Sequence, residues 1–313
     1  MKVKQIAYDV NYPYSDGIRR FVYELCNGLS QYCETELITS KKNQAFLPFL
    51  LRLKRKKLEG IIHSHLPNIP FVKFLSSASF HTVHGYPKLG KLAFLEIKKF
   101  EQIIVPSLNM KNLLIEYGIE STVIPYGIST YKTQYSVKDK TENILSLLYL
   151  GHFYKGKGVE VLLDAIKDLY DIKLTIAWSG RGNINRVLKK IKTLKIKDRV
   201  KVVGIQRDTR AFMLKHDAIV IPADSWFSTT ALPFTAIEAF SASVPVICSE
   251  MREWQEILPY CSTFEKGNSD DLKELLFNMN QKKLALLSRK SKAAHEKFNI
   301  RRVVAEHLEL YRS

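Results

Sequence analysis

Two glycines, two lysines and a histidine follow one short apolar run. The run Leu147-Leu148-Tyr149-Leu150-Gly151 leads into His152-Phe153-Tyr154-Lys155-Gly156-Lys157-Gly158, and a segment of helical period comes next. Glycines at a helix mouth let an anion reach the unpaired amides, and the helix dipole favours negative charge there. Lys157 adds a point charge. The chemistry suggested is phosphate binding, although a tight turn uses the same glycines. Ile176-Ala177-Trp178 followed by Ser179-Gly180-Arg181-Gly182-Asn183 repeats the arrangement, and these glycines either admit a ligand to the backbone or close a turn. Further on, residues 228–247 place Glu238 near the start of a helix. A carboxylate there can accept hydrogen bonds from ribose hydroxyls; a glutamate favoured by the dipole of a first turn would look the same.

Histidines gather in the first half: His63 and His65 after one apolar run, His81 and His84 around the next. His84 falls just past the carboxyl end of its strand, where open α/β sheets hold ligands. His63 and His65 have the spacing of a metal pair, but no nearby carboxylate or cysteine completes a site, and no metal is expected. Residues 46–58 join Phe46, Leu47, Phe49, Leu50 and Leu51 to Arg52, Lys54, Arg55, Lys56 and Lys57. Such a segment suits a helix lying on an anionic membrane, and equally a solvated helix with one buried stripe.

The elements that must position these residues are legible as alternating runs. Strand-length apolar runs fall at 3–7, 35–39, 60–63, 79–83, 102–106 and 122–125, then at 145–150, 173–178, 200–203, 218–221, 244–248 and 262–264. Segments of helical period separate them. Ile18, Phe21, Val22, Leu25 and Leu29 share one helical face, as do Val159, Leu162, Leu163, Ile166 and Leu169. Ser107 can cap a helix that Gly118 ends. Six strands and six strands, alternating with helices, predict two doubly wound parallel sheets. Residues 131–143, polar and lysine-rich, are the expected linker. The segment 300–311 is helical, with no strand left to pair.

Length agrees with two domains: 313 residues, 36.1 kDa. Hydrophobic residues at 46% and charged residues at 25% argue against disorder. No apolar run is long enough to span a membrane, and the first residues read as a strand and not as a leader. The cysteines at 26, 33, 248 and 261 lack zinc spacing and read as reduced structural thiols. The net charge of +17 is spread over both halves, with 20 basic and 11 acidic residues in 1–140 and 28 and 20 in the rest. It suits a polyanionic partner, whether nucleotide phosphates, lipid headgroups or nucleic acid. No nucleic-acid motif is present, so nucleic acid is expected only as nonspecific charge attraction.

Taken in order, these residues resemble glycosyltransferase family 4, retaining enzymes of the GT-B fold. Tyr14-Ser15-Asp16-Gly17-Ile18-Arg19-Arg20-Phe21 resembles the family's glycine-glycine loop and first helix, with Asp16 for the first glycine. Thr82-Val83-His84 is similar to its T-x-H histidine, and Ile124-Pro125-Tyr126-Gly127-Ile128 to its I-P-N-G-I/V turn. Residues 151–158 resemble the G-R-x-x-x-x-K-G donor loop, and Thr230 to Glu238 fall where E-x7-E does.

The resemblance implies an α/β chain of two facing Rossmann-like domains. The expected limits are 1–135 for the acceptor domain, 141–295 for the donor domain, and 296–313 for a helix returning to the first. It implies hexosyl transfer from a UDP- or GDP-linked sugar to a lipid-linked, protein or glycan acceptor, with retention, without a metal and without a cofactor. His84 is then catalytic, beside the transferred sugar. The donor-binding residues are Gly17, His152, Lys157 on the diphosphate, Gly180, Gly182, Ile205 and Gln206 at the base, Thr230, Ala231, and Glu238 on the ribose. Arg19, Arg20, Arg52, Lys54, Arg55, Lys56 and Lys57 form the acceptor or membrane face. The expected location is cytoplasmic, peripheral to the cytoplasmic membrane face.

Four departures stand out. His152 replaces an arginine that would be permanently charged and bidentate, Thr230 replaces the first glutamate, Pro233 a glycine, and Arg252-Glu253 a later glycine pair. An altered donor sugar, a shifted register with Asp224 as the carboxylate, or a weakened pseudoenzyme acting as a binding partner would each produce them.

Overall fold

The computed structural model describes residues 1–12, 14, 16–69, 71–86, 90–137, 144–226 and 229–313. Ser15 and Ser228 of the motifs above, and residues 138–143 of the expected linker, lie outside the described residues. The chain divides into two compact units. One comprises Met1–Ser129, Thr230–Phe234 and Phe298–Ser313; the other comprises Thr130–Thr229 and Thr235–Lys297.

In the first unit, strands β1 (Lys2–Ile6), β2 (Glu34–Ile38), β3 (Ile61–Ser64), β4 (Phe80–Thr82), β5 (Gln102–Val105) and β6 (Thr122–Val123) form one sheet, in the order β2-β1-β3-β4-β5-β6. Every pairing is parallel. Parallel neighbours need crossovers, and helices α1 (Gly17–Leu29), α2 (Phe46–Arg55), α3 (Val72–Ser76), α4 (Lys91–Ile97) and α5 (Leu108–Glu116) supply them. The periodic residues of α1 do what their spacing predicts: Phe21, Val22, Leu25 and Leu29 are buried. Asp16 caps that helix by accepting from the Arg19 amide at 3.1 Å, and Ser107 caps α5 through the Met110 amide at 3.2 Å. Gly118, with φ +63°, follows α5 in the left-handed conformation that ends helices.

The second unit contains β7 (Leu145–Phe153), β8 (Ile172–Gly182), β9 (Val200–Val203), β10 (Ala218–Ile221), β11 (Val246–Glu250) and β12 (Ser262–Glu265). Their order is β12-β11-β10-β7-β8-β9, again all parallel. Helices α6 (Val159–Ile166), α7 (Ile184–Thr193), α8 (Thr209–Met213) and α9 (Phe234–Ser241) make the crossovers, and α10 (Ser269–Phe277) and α11 (Gln281–Lys297) follow β12. The core runs from Leu147 and Leu174 in the sheet to Leu162, Leu163 and Ile166 of α6. The last helix, α12 (Ile300–Arg312), belongs to the first unit. It buries Ile300, Val303, Val304, Leu308 and Tyr311 there, each large apolar side chain contributing roughly 1.5–3 kcal/mol. Val304 is 1% exposed, so a charge at that position would break the attachment.

Two boundaries differ from the sequence reading. Strands β7 and β8 run past their glycines, pairing Gly151 with Trp178 and Phe153 with Gly182 across a register shift. Glycine inside a strand marks a bulge as readily as a stop. The first part of the expected linker is packed: the Tyr131 amide donates to the Ser241 carbonyl at 3.1 Å and the Tyr135 amide to the Ala242 carbonyl at 2.8 Å. Two tyrosines among the lysines hold it. Tyr131 donates to Asp208 at 2.8 Å and lies under the Arg210 guanidinium, while Tyr135 is buried.

Candidate active site

The sheet of the second unit reverses its strand order between β7 and β10, and open α/β sheets bind ligands at the carboxyl ends of such strands. There β7 turns into α6 through Tyr154–Gly158. Gly158 has φ +69°, and a side-chain carbon on it would sit 1.5 Å from the Pro222 carbonyl oxygen. Only glycine fits. The Gly156 carbonyl accepts from the amides of Asp224 and Ser225, at 3.1 and 3.3 Å, which ties this loop to the one leaving β10. The first backbone bond of α6 runs from the Leu162 amide to the Gly158 carbonyl, and no side chain caps the helix. The preceding amides therefore have no carbonyl of their own helix to reach. Half-buried Lys157 stands immediately before them.

Other expected donor residues lie in the same unit. His152 lies on the strand extension, not at the helix mouth, because β7 continues to Phe153. Its Nδ1 is hydrogen-bonded to Ser179 Oγ, and its carbonyl accepts from the Tyr149 hydroxyl at 2.7 Å. Gly180 and Gly182 have φ of +81° and +86°, and a side-chain carbon on Gly180 would meet Ile205 Cδ1 at 3.8 Å. Ile205 is 49% exposed, whereas the Gln206 side chain donates to the Gly204 carbonyl at 2.9 Å. Glu238 is the fifth residue of α9, which has no acidic residue in its first turn, so the placement near a helix start is corrected. The glutamate is buried and accepts from Thr209 Oγ1 at 2.7 Å. Sequence spacing gave no signal for Thr209 or Ser179, because each meets its partner through strand pairing and loop course.

The first unit holds the other expected residues. Beside Gly17 the space is already taken: a side-chain carbon there would lie 2.3 Å from Phe234 Cβ. Packing against Phe234 by itself requires glycine at this position. Thr230 Oγ1 donates to the Leu232 carbonyl, and the Ala231 amide donates to the His84 carbonyl at 3.0 Å. His84 is 7% exposed. Its Nε2 is 3.0 Å from His65 Nδ1 and its Nδ1 is 3.1 Å from the Tyr126 hydroxyl. Burial lowers its pKa to about 3, so the imidazole is neutral at physiological pH. His63 and His65 are likewise engaged, by Tyr311 and Thr82 and by Gln5 and His84. Among the described residues no cluster of three or more His, Cys, Asp or Glu side chains is arranged to hold a metal.

The expected membrane face is divided. Arg19 is bound to Asp9 and Asp16, and Arg20 to Glu24, so these two cations serve the fold. Arg52 donates to the Thr39 carbonyl at 2.7 Å. Lys54, Arg55, Lys56 and Lys57 are exposed. Phe49, Leu50 and Leu53 are buried in α2, leaving Leu47 and Leu51 outward. Nearby, Phe74 of α3 is exposed, with Lys54 Nζ 3.7 Å from its ring centre. Among the described residues no helix is long and apolar enough to cross a membrane.

Known proteins share this fold. Residues 132–285 match the family described as glycosyl transferases group 1. An uncharacterized glycosyltransferase of Methanocaldococcus jannaschii is 26% identical over 284 residues, covering 83% of this chain and 69% of the relative. A second from the same organism is 27% identical over 209 residues, 64% of this chain and 56% of that one. Among solved structures, HepE of Anabaena, crystallised with UDP and glucose, superposes with a TM-score of 0.80 at 14% identity over all of both chains. The group 1 domain at residues 132–285, carried on two parallel six-stranded sheets of the GT-B type, makes this chain a glycosyltransferase.

Proposed function

We propose that the chain moves a hexose, with retention of configuration and without a metal, from a nucleotide-diphosphate sugar to a lipid-linked acceptor at a membrane surface. The observation that carries the donor half is the Gly158 turn: it is locked against the Pro222 carbonyl at the β7/β10 switch and presents uncapped amides of α6 beside Lys157. Those amides and Lys157 meet the diphosphate and its developing charge. Glu238 accepts from the ribose hydroxyls, in exchange for Thr209 or together with it. Ile205 lies flat against the base, Gly180 and Gly182 give the ligand access to backbone, and His84 lies beside the sugar. HepE structures with UDP and with UDP-glucose favour uridine over guanosine in the donor.

Isothermal titration with UDP, GDP and their glucose conjugates tests this reading. Micromolar binding of one nucleotide series, weakened about ten- to a hundredfold by Lys157→Ala, is expected; equal binding by the variant overturns the assignment. Product anomeric configuration by NMR, with and without a chelator, tests retention and metal independence. For the acceptor, Lys54, Arg55, Lys56 and Lys57 with Leu47, Leu51 and Phe74 support attachment to anionic lipid. Co-sedimentation with phosphatidylglycerol vesicles should be lost when the four cations become glutamine, and no sedimentation of either protein would point to a protein or glycan acceptor. The commitments of His152 and Thr230 favour a second reading, binding without turnover, which a negative product assay alongside tight UDP binding would establish.

A further inference from the structure

A continuous set of hydrogen bonds runs through the interior of the first unit, and its direction follows from one amide. Gln5 is 0% exposed in the middle of β1. Its Nε2 donates to the Tyr311 hydroxyl at 3.0 Å, which leaves Oε1 facing His65 Nε2 at 2.6 Å. An amide oxygen only accepts, so His65 carries its proton on Nε2. Burial holds His65 well below its ordinary pKa, and the ring is neutral with one N–H. His65 Nδ1 then accepts, and the proton between the two rings belongs to His84 Nε2, 3.0 Å away. That leaves His84 Nδ1 without a hydrogen.

The other end agrees. The Tyr311 hydroxyl donates to His63 Nδ1 at 2.6 Å, and His63 Nε2 donates to Thr82 Oγ1 at 2.7 Å. No donor meets a donor from Tyr126 through His84, His65, Gln5, Tyr311 and His63 to Thr82. The hydroxyl of Tyr126 stands 3.1 Å from His84 Nδ1 and 3.1 Å from the His84 carbonyl oxygen. Its single hydrogen can turn from the ring to the carbonyl, which releases the Nδ1 lone pair.

We infer that His65, held by Gln5, is a positioning residue that fixes His84 as an obligate acceptor at Nδ1, so that His84 takes a hydrogen bond from a sugar hydroxyl and exchanges no proton with it. This rests on the proposed function only for the sugar beside His84. No bond is made or broken at His84; the hydroxyl keeps its proton.

The test uses the full chain with 15N-labelled histidine at pH 7.5. Long-range proton–nitrogen correlation should show both His65 and His84 protonated on Nε2 and bare on Nδ1. His65→Phe removes the acceptor and should shift the His84 proton toward Nδ1. His65→Asn, whose amide oxygen can stand where Nδ1 stood, should restore the original signature. Turnover of UDP-glucose should fall about 10- to 100-fold in kcat for His65→Phe, with UDP affinity unchanged, and recover within a few fold in His65→Asn. A wild-type His84 protonated on Nδ1 overturns the inference. So does an unshifted tautomer in His65→Phe, or a shifted tautomer with unchanged kcat. Should His65→Phe fail to fold, the wild-type and His65→Asn spectra still decide. Failure to bind UDP would count against the proposed function and leave the tautomer result standing.

Discussion

The two units treat their polar groups in opposite ways. In the first, five histidines, 63, 65, 81, 84 and 307, are buried, and each makes at least one hydrogen bond to another interior group, although His81 Nδ1 and His307 Nε2 have no partner among the described residues. In the second, the loop from β7 to α6 is rigid, yet it leaves helix amides without intrahelical partners beside a lysine. Closed polar networks specify one internal arrangement and tolerate little change of charge. Uncapped amides at a helix N-terminus carry a positive electrostatic field. One unit thus offers shape and a fixed hydrogen-bond polarity, and the other offers electrostatic attraction.

Acidification should break this contrast most strongly. Burial lowers the pKa of His81 and His307 to about 4 and of His84 to about 3, and holds His63 and His65 well below normal. A base whose folded pKa is depressed binds its proton first in the unfolded chain. Stability is therefore intact above about pH 6.5 and is lost as pH falls toward 4. His81, His84 and His307 each cost about 1.4 kcal/mol by pH 5.5, on the order of 4 kcal/mol together, and His63 and His65 act in the same direction. Calorimetry between pH 7.5 and 5 should show the first unit melting earlier at acid pH, and a pH-independent first transition would contradict the description.

Gly158→Ala attacks the other side. Left-handed φ and a 1.5 Å approach to a backbone oxygen should cost about 3–5 kcal/mol in the second unit, read from urea unfolding. UDP binding should disappear with it. A wild-type denaturation midpoint would mean the turn has room to relax.

Lys157→Ala should remove about 1.5–3 kcal/mol of nucleotide affinity, which titration calorimetry measures. Tyr311→Phe sharpens the comparison in the first unit: it strands Gln5 Nε2 and His63 Nδ1 at an expected cost of about 1–3 kcal/mol in unfolding free energy, with UDP affinity untouched. Asp16→Ala should be smallest, about 1 kcal/mol, the ordinary value of an N-cap, seen as a modest drop in melting temperature.

Twelve strands were legible because parallel strands buried on both faces are runs of apolar residues; 200–203 and 218–221 coincide with β9 and β10. Caps at Ser107 and the stop at Gly118 were legible because their chemistry is local. At the candidate site, Gly158 and Lys157 could be found from order alone. Pro222 could not, since it reaches Gly158 only through strand pairing. Glu238 was misplaced within its helix because α9 already begins at Phe234, directly after Pro233, a full turn before the glutamate. Polarity suggested that Arg19 and Arg20 face outward, but Asp9, Asp16 and Glu24 claim them through the fold of α1. The histidine network was invisible for the same reason: Gln5 and Tyr311 are 306 positions apart.

That separation orders events during synthesis. Residues 1–129 leave the ribosome first, but they lack α12, and with it Tyr311 and the apolar face of Val303 and Val304. Until residue 311 has been made, Gln5 Nε2 and His63 Nδ1 lack the Tyr311 hydroxyl, and the interior of this segment holds unpaired polar atoms. Residues 130–297 include the whole of the second unit and can close without waiting for α12. The part translated first is therefore the part completed last, and the nascent N-terminal segment is where a chaperone holding an unfinished sheet would be found.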